Sequence, residues 1–270
     1  MYALGIGFQE DPMNEKHFQF TYEQAANFKA FPTFYHTFAH QNPWRMGGYV
    51  SPGLPAFDPM KLLHGEETLE VFKPLTPGST FIVKQDILDM QDKGSAAILV
   101  VAAKIYDKVT NEIFAQVNTS FFIRGIGGFG HKGTYKIKFP ATPKRSPDYE
   151  TTVNIKKNAA FIYRLSSDTN PLHVDPEESK RGGFSVPILH GLCTYGMTIG
   201  ALQQHFYYDN VDEIKQVSVR FTSHVYPGET LIIHAWQEGN DTIIYQTSTK
   251  ERGKVVLKGY LKMEFKNAKL

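Results

Sequence analysis

Cysteine is almost missing from this sequence: Cys193 stands alone among 270 residues. A single thiol excludes an internal disulfide framework and suits a reducing compartment. Long apolar runs are missing too, none approaching the roughly 20 residues a membrane-spanning helix needs. There is no excess of one charge. The 29 basic and 27 acidic residues leave +2, too little for a general nucleic-acid or membrane field. The opening stretch MYALGIGFQED lacks a basic region followed by an apolar core, so no secretory signal is expected there. What is present is 41% hydrophobic and 13% aromatic residues, enough to build a core and exclude a disordered chain. The length fits one large domain or two of about 130 residues.

The core-forming residues fall into two similar halves. STFIVKQDILDM (79–90) and SAAILVVAAKIYD (95–107), separated by QDKG, are rich in β-branched residues and read as a hairpin. EIFAQVNTSFFIRG (112–125) adds a strand, and FPATPKRSPDYE (139–150), with three prolines, reads as a linker. Beyond it, VPILHGLCTYGMTIGALQQHF (186–206) is apolar at helical spacing, and four strand-like segments follow. One long apolar helix followed by antiparallel strands points to an α+β unit whose sheet wraps a buried helix. The first half echoes this: VFKPLTPGSTFIV (71–83) matches FTSHVYPGETLII (221–233) around a Pro-Gly turn, and YALGIGFQEDP (2–12) faintly matches YRLSSDTNPLH (163–173). We read a duplicated unit of about 130 residues. The expected layout is a first repeat over 1–138, a linker over 139–150 and a second repeat over 151–270. The first repeat keeps Asp11 and Pro12 but has no Asn-Pro-x-His behind them, so the polar cluster belongs to the second copy.

That cluster lies in YRLSSDTNPLHVDP (163–176). Asp168 and His173 are five positions apart, with Pro171 restricting the chain between them. If a short helical turn follows Pro171, both side chains reach one pocket. A carboxylate and an imidazole there can hold one water and move its protons. Asn170 would orient the water or the aspartate. The competing reading makes Asp168 a helix cap and His173 a satisfied surface residue. Gly191, in ILHGLCTYG, stands where the apolar helix begins, where unpaired N–H groups and the helix dipole stabilise a developing oxyanion. Alternatively, Gly191 only lets the helix approach the sheet.

YRLSSDTNPLHVDP followed by PILHG resembles the hydratase 2 (MaoC-like) family of (R)-specific 2-enoyl-CoA hydratases over nearly the whole chain. The paired halves look like the family's double hot-dog form, two antiparallel sheets each wrapped on a hot-dog helix. The tail Ala268-Lys269-Leu270 resembles a Ser-Lys-Leu peroxisomal address read by an import receptor. With that tail the chain looks like the hydratase part of a type 2 peroxisomal multifunctional enzyme, fused in the parent protein to dehydrogenase domains. One departure is Ser167, where the family usually has glycine before the aspartate. The resemblance makes Asp168 and His173 the catalytic pair, Asn170 their partner, and Gly191 the N–H donor to the thioester oxygen. It draws in His64 and Gly65, from LHG (63–65), as residues lining the coenzyme A site. It also implies that Lys93 meets the anionic part of the ligand, with Phe221 a further contact. It implies hydration of trans-2-enoyl-CoA to (3R)-3-hydroxyacyl-CoA in peroxisomal fatty-acid β-oxidation, with no metal and no cofactor beyond the substrate's own coenzyme A. An acyl-CoA thioesterase and a non-catalytic acyl-CoA binding module are the alternatives. Because hot-dog proteins pair, a homodimer is expected.

Two other features point elsewhere and are set aside. GIGGFG (125–130) fits a dinucleotide fingerprint, but HKGTYKIKFP after it reads as loop and strand rather than helix, so a flexible loop is expected. Cys193 is expected to be a buried structural thiol. The sequence offers no H-x-x-x-H pair on a predicted helix, which argues against zinc.

Overall fold

A computed structural model describes residues 1–40, 55–58, 61–75, 77–206 and 211–264. The tail Ala268-Lys269-Leu270 lies outside them. Nine strands form the sheet: β1 (Leu62–Val71), β2 (Phe81–Asp92), β3 (Ala96–Asp107), β4 (Ile113–Arg124), β5 (Tyr149–Asn154), β6 (Ile214–Phe221), β7 (Thr230–Glu238), β8 (Thr242–Thr249) and β9 (Val255–Met263). Among the described residues six α-helices accompany them: α1 (Tyr2–Gly5), α2 (Phe18–Thr21), α3 (Tyr35–Ala39), α4 (Ala159–Tyr163), α5 (Pro176–Arg181) and α6 (Gly191–Phe206). No described helix is long and apolar enough to cross a membrane.

The duplication is visible in the topology. The strand order is β2-β3-β4-β1-β6-β9-β8-β7-β5, so in each repeat a central strand, β1 or β6, is followed by three hairpin-linked strands that run from the outside back inward, and β5 adds an outer edge to the second repeat. The two Pro-Gly turns join equivalent strands, and Gly78 and Gly228 both have positive φ, +82° and +97°, which glycine adopts without strain. The two sheets expected separately are joined into one. β1 pairs antiparallel with β6, Glu66 opposite Arg220 and Leu69 opposite Val217, because neither inner strand can leave its backbone edge unpaired in a buried position.

α6 fills the concave face of the second repeat with Leu192, Cys193, Tyr195, Ile199 and Leu202. Burying such a side chain is worth about 1.5–3 kcal/mol. The helix starts at Gly191, where the sequence places it, and residues 187–190 ahead of it are outside the helix. Its outer side carries Gly196 and Gly200, onto which Ile6 and Phe8 pack; a Cβ at Gly196 would stand 2.5 Å from Ile6 Cγ2. Thus Tyr2, Ile6, Phe8, Phe20 and Phe31 belong to the second repeat's core although they open the chain. In the first repeat the described helix on the sheet is the short α3, whose Tyr35 and Ala39 pack on Leu69, Ile105 and Val117. β5 begins at Tyr149, so the last two residues of the expected linker are strand.

Candidate active site

The opening of the polar cluster is shaped by local hydrogen bonds. Asp168 Oδ1 accepts the Asn170 N–H at 2.8 Å, closing an Asx turn. Asn170 Oδ1 accepts the Leu172 N–H at 3.0 Å and caps the 3-10 turn Pro171–His173, where Pro171 sits in the first position. Asp168 therefore caps no helix. Asn170 steadies Asp168 with its backbone N–H, while its side-chain oxygen is spent on the cap.

His173 is buried. Its Nδ1 donates to the Ile188 carbonyl at 2.9 Å, which leaves Nε2 as an acceptor 3.8 Å from Asp168 Oδ2. Burial lowers the His173 pKa, and the Asp168 carboxylate works against that lowering. His190, which the sequence reading did not single out, lies against this pair with its ring 3.8 Å from that of His173. Its Nε2 donates to the Asp168 backbone carbonyl at 3.0 Å. Burial first, and His173 second, push the His190 pKa well below the usual histidine range. His190 is thus a neutral strut beneath the Asp168 backbone. Its signal in the sequence is the histidine of PILHG, just before the glycine that opens α6.

At the start of α6, the His190 carbonyl accepts from the N–H groups of Cys193 and Thr194, so the Gly191 N–H precedes the helical ladder. A Cβ on Gly191 would be 3.0 Å from Phe221 Cδ1 and Cε1, so glycine is needed for this contact. The Phe221 ring in turn lies 4.7 Å from that of His64. Asp168, Asn170, His173, Gly191, Phe221, His64 and Gly65 all line one cavity of about 680 Å³. Lys93 is not among its lining residues. It sits in the β2–β3 turn, which Asp92 ties to the 125–130 loop by accepting the Gly94, Gly128 and Gly130 N–H groups. That loop is fastened at both ends of its glycine run rather than free. Among the described residues the Lys and Arg side chains lining the cavity are Arg124 and Arg220, the latter paired with Glu66 at 2.6 Å.

The first repeat preserves more of the motif than its sequence shows. Asp11 Oδ1 accepts the Met13 N–H, Asn14 caps the 3-10 turn Glu15–His17, and His17 follows Asn14 by the same three positions as His173 follows Asn170. Yet His17 Nδ1 accepts the Gln9 N–H at 2.9 Å and Nε2 meets Asn14 Nδ2 at 3.2 Å, so the ring is consumed structurally. Cys193 is buried, 3.4 Å from the Gly5 carbonyl, and burial pushes its thiol up.

A second polar cluster borders the same cavity. His36 in α3 and His40, which caps its C-terminus, form an H-x-x-x-H pair that was not expected on a helix. Both meet Glu67, as does His64. In a regular strand residues 64 and 67 face opposite sides. A β-bulge between His64 and Glu66 inserts one residue and brings both to the same face. Burial alone would raise the Glu67 pKa, but His36, His40 and His64 hold it well below the usual carboxylate range. Among the described residues two sets of side chains have metal-ligand spacing, His40–His64–Glu67 and Asp168–His173–His190.

Comparison with known proteins gives a consistent picture. The family model for the MFE-2 hydratase 2 N-terminal domain matches residues 1–125, and that for the MaoC like domain matches residues 138–259. A probable enoyl-CoA hydratase 2 of Dictyostelium discoideum is 39% identical over 95% of this chain and 86% of its own length. The peroxisomal multifunctional enzyme type 2 of Mus musculus is 40% identical over 95% of this chain, which spans 34% of that protein. The crystal structure of a MaoC-like dehydratase from Phytophthora capsici superposes with a TM-score of 0.88 at 35% identity, covering 99% of this chain and 90% of that one.

Proposed function

The chain belongs to the enoyl-CoA hydratase 2 family and is an enoyl-CoA hydratase with MaoC-like hot-dog architecture, and from this we propose that it adds water to trans-2-enoyl-CoA to give (3R)-3-hydroxyacyl-CoA. The observation that carries the reading is the gap between Asp168 Oδ2 and His173 Nε2, 3.8 Å, facing the start of α6 across the cavity. A water at about 2.8 Å from each acceptor bridges that gap. The thioester carbonyl, set against the Gly191 N–H, becomes more polarised as charge moves onto its oxygen, and C3 becomes electrophilic. The water oxygen bonds to C3, one of its protons passes to the Asp168–His173 pair, and a proton is delivered to C2; the sum is addition of one water. His173 is suited to this work because its Nδ1 proton is held by Ile188 and its Nε2 lone pair is left free for the water. The chemistry uses no cofactor of its own.

Arg124 and Arg220 line the cavity as cations suited to the coenzyme A phosphates. The peroxisomal name of the mouse relative supports a peroxisomal enzyme of fatty-acid β-oxidation. The Neurospora crassa relative named peroxisomal hydratase-dehydrogenase-epimerase supports fusion to dehydrogenase domains in a parent protein, and hot-dog pairing supports a homodimer. The test is loss of the conjugated enoyl-thioester absorbance from trans-2-decenoyl-CoA, with the product offered to (3R)- and (3S)-specific dehydrogenases. Oxidation by the (3R) enzyme alone is the expected result. Oxidation by the (3S) enzyme overturns the stereochemistry, and free thiol in place of hydration points to a thioesterase.

A further inference from the structure

The His36–His40–His64–Glu67 cluster borders the cavity but takes no part in the hydration step. Glu67 is fully buried, and its carboxylate is a hub. Its Oε2 receives the Thr119 hydroxyl at 2.9 Å, His40 Nε2–H at 2.6 Å and His64 Nε2–H at 2.9 Å, while His36 Nδ1–H meets Oε1. The hub fixes which nitrogen of each ring carries its hydrogen. With Nε2 committed to Glu67, Nδ1 of His40 and of His64 points the other way. Both rings line the cavity whereas Glu67 and His36 do not, so these Nδ1 positions face the ligand space. The two rings are not alike. Burial alone would lower the His40 pKa, but Glu67 and then Asp168 outweigh it and raise the value, whereas for His64 burial outweighs Glu67. His40 therefore presents a second N–H to the cavity, and His64 presents a lone pair.

We propose that His40 and His64 bind the secondary amide nearest the sulfur of the substrate's pantetheine arm, His40 Nδ1–H donating to the amide carbonyl and His64 Nδ1 accepting the amide N–H. The assignment rests on the hydratase reading and gives the first repeat a substrate-positioning part in it. Its place in the cavity follows from a chain of contacts. Phe221 packs on Gly191, and the His64 ring lies 4.7 Å from the Phe221 ring, so the imidazole pair begins one side chain beyond the N–H assigned to the thioester oxygen. A pantetheine thioester carries its first amide two carbons beyond the sulfur, and an amide is the group that calls for one donor and one acceptor. The other neighbour of the thioester does not fit. An enoyl chain beyond C3 is hydrocarbon and would leave both nitrogens unpaired where water is displaced. The His40 and His64 rings stand 5.2 Å apart, separate enough to meet the two ends of one polar group. Two features distant in sequence build the pair: the C-cap of α3 carries His40, and the bulge between His64 and Glu66 turns His64 to the face that Glu67 occupies.

The test offers the full-length protein three trans-2-decenoyl thioesters. That of N-acetylcysteamine keeps the amide, that of 2-acetoxyethanethiol replaces the amide N–H by oxygen, and that of pentanethiol has neither polar group. The readout is the ratio of kcat/KM between them, which a merely structural defect would leave alone because it lowers all three alike. The wild type should favour the amide over the ester about 3–10-fold and the ester over the pentyl thioester about 10–100-fold, the ranges for a neutral and a charge-assisted hydrogen bond. His64→Phe should erase the first ratio and His40→Phe the second. Should either fail to fold by circular dichroism, His64→Gln and His40→Gln keep an N–H for Glu67 without a ring nitrogen toward the cavity, and they read the same ratios. A wild type that hydrates trans-2-decenoyl-CoA but is indifferent to the three thioesters overturns this proposal alone. So does either ratio surviving its variant. Failure to hydrate trans-2-decenoyl-CoA itself overturns the hydratase reading beneath it.

Discussion

Gly191→Ala tests how the start of α6 is tied to the cavity. The added Cβ would stand 3.0 Å from two atoms of the Phe221 ring, where carbon contacts relax at about 3.5–4.0 Å, so the ring must withdraw by half an ångström or more. It has little room, because the His64 ring lies 4.7 Å away from its centre. Overpacking of this kind costs about 1–3 kcal/mol. If that cost falls on the transition state, kcat/KM drops about 5- to 150-fold. The assay is hydration of trans-2-decenoyl-CoA by absorbance, repeated in a Phe221→Leu background to form a double-mutant cycle. Trimming the ring should make Gly191→Ala much less harmful than it is in the wild type. A wild-type rate in Gly191→Ala refutes the reasoning. An equal loss with and without the ring refutes it too, because the contact would then not be the cause.

Asp168→Asn and His173→Ala should fold normally and lose hydration about 10²–10⁴-fold, the range for removing general acid–base groups; activity retained in either removes the water-holding role. The pH dependence follows from the buried histidines. His173 and His190 have folded pKa values below the unfolded value of about 6.5, so stability is full above that value and falls as pH drops through it and they must take up protons. Asp168→Asn removes the charge that raises His173, so the His173 titration seen by NMR should move to lower pH; an upward move contradicts the pairing. Arg124→Ala should raise the KM for acyl-CoA about tenfold while Lys93→Ala stays within about twofold, as lining and non-lining cations should; the reverse ranking restores Lys93 as the phosphate contact. Gly196→Ala, with its Cβ 2.5 Å from Ile6 Cγ2, should lower the melting temperature despite a helix-propensity gain of about 1 kcal/mol. An unchanged or higher melting temperature would show that the opening segment yields without cost.

The sequence by itself determined what depends on short-range chemistry. Alternating β-branched segments and the paired Pro-Gly turns marked the strands and their duplication, because side-chain period and positive-φ glycine are local requirements. The Asp168–His173 motif was legible for the same reason, since Pro171 and two Asx-type hydrogen bonds build it within six residues. Tertiary structure decided whatever needed distant segments to meet. Only the β1–β6 pairing joins two sheets into one, and only the Gly196 and Gly200 surface of α6 draws Ile6 and Phe8 into the second repeat's core. His190 was quoted within a motif, but its burial and its hold on Asp168 are visible only when the chain folds back. Lys93 illustrates the converse, a suitable cation on a suitable turn that the hairpin sets outside the cavity lining. The Glu67 cluster depends on a bulge that reverses which face a strand residue shows, and on a five-residue helix and its C-cap, which bring His36 and His40 to it. A strand pattern carries no sign of a one-residue insertion in its ladder, because the partner that reveals it, β4, lies about fifty residues further along the chain.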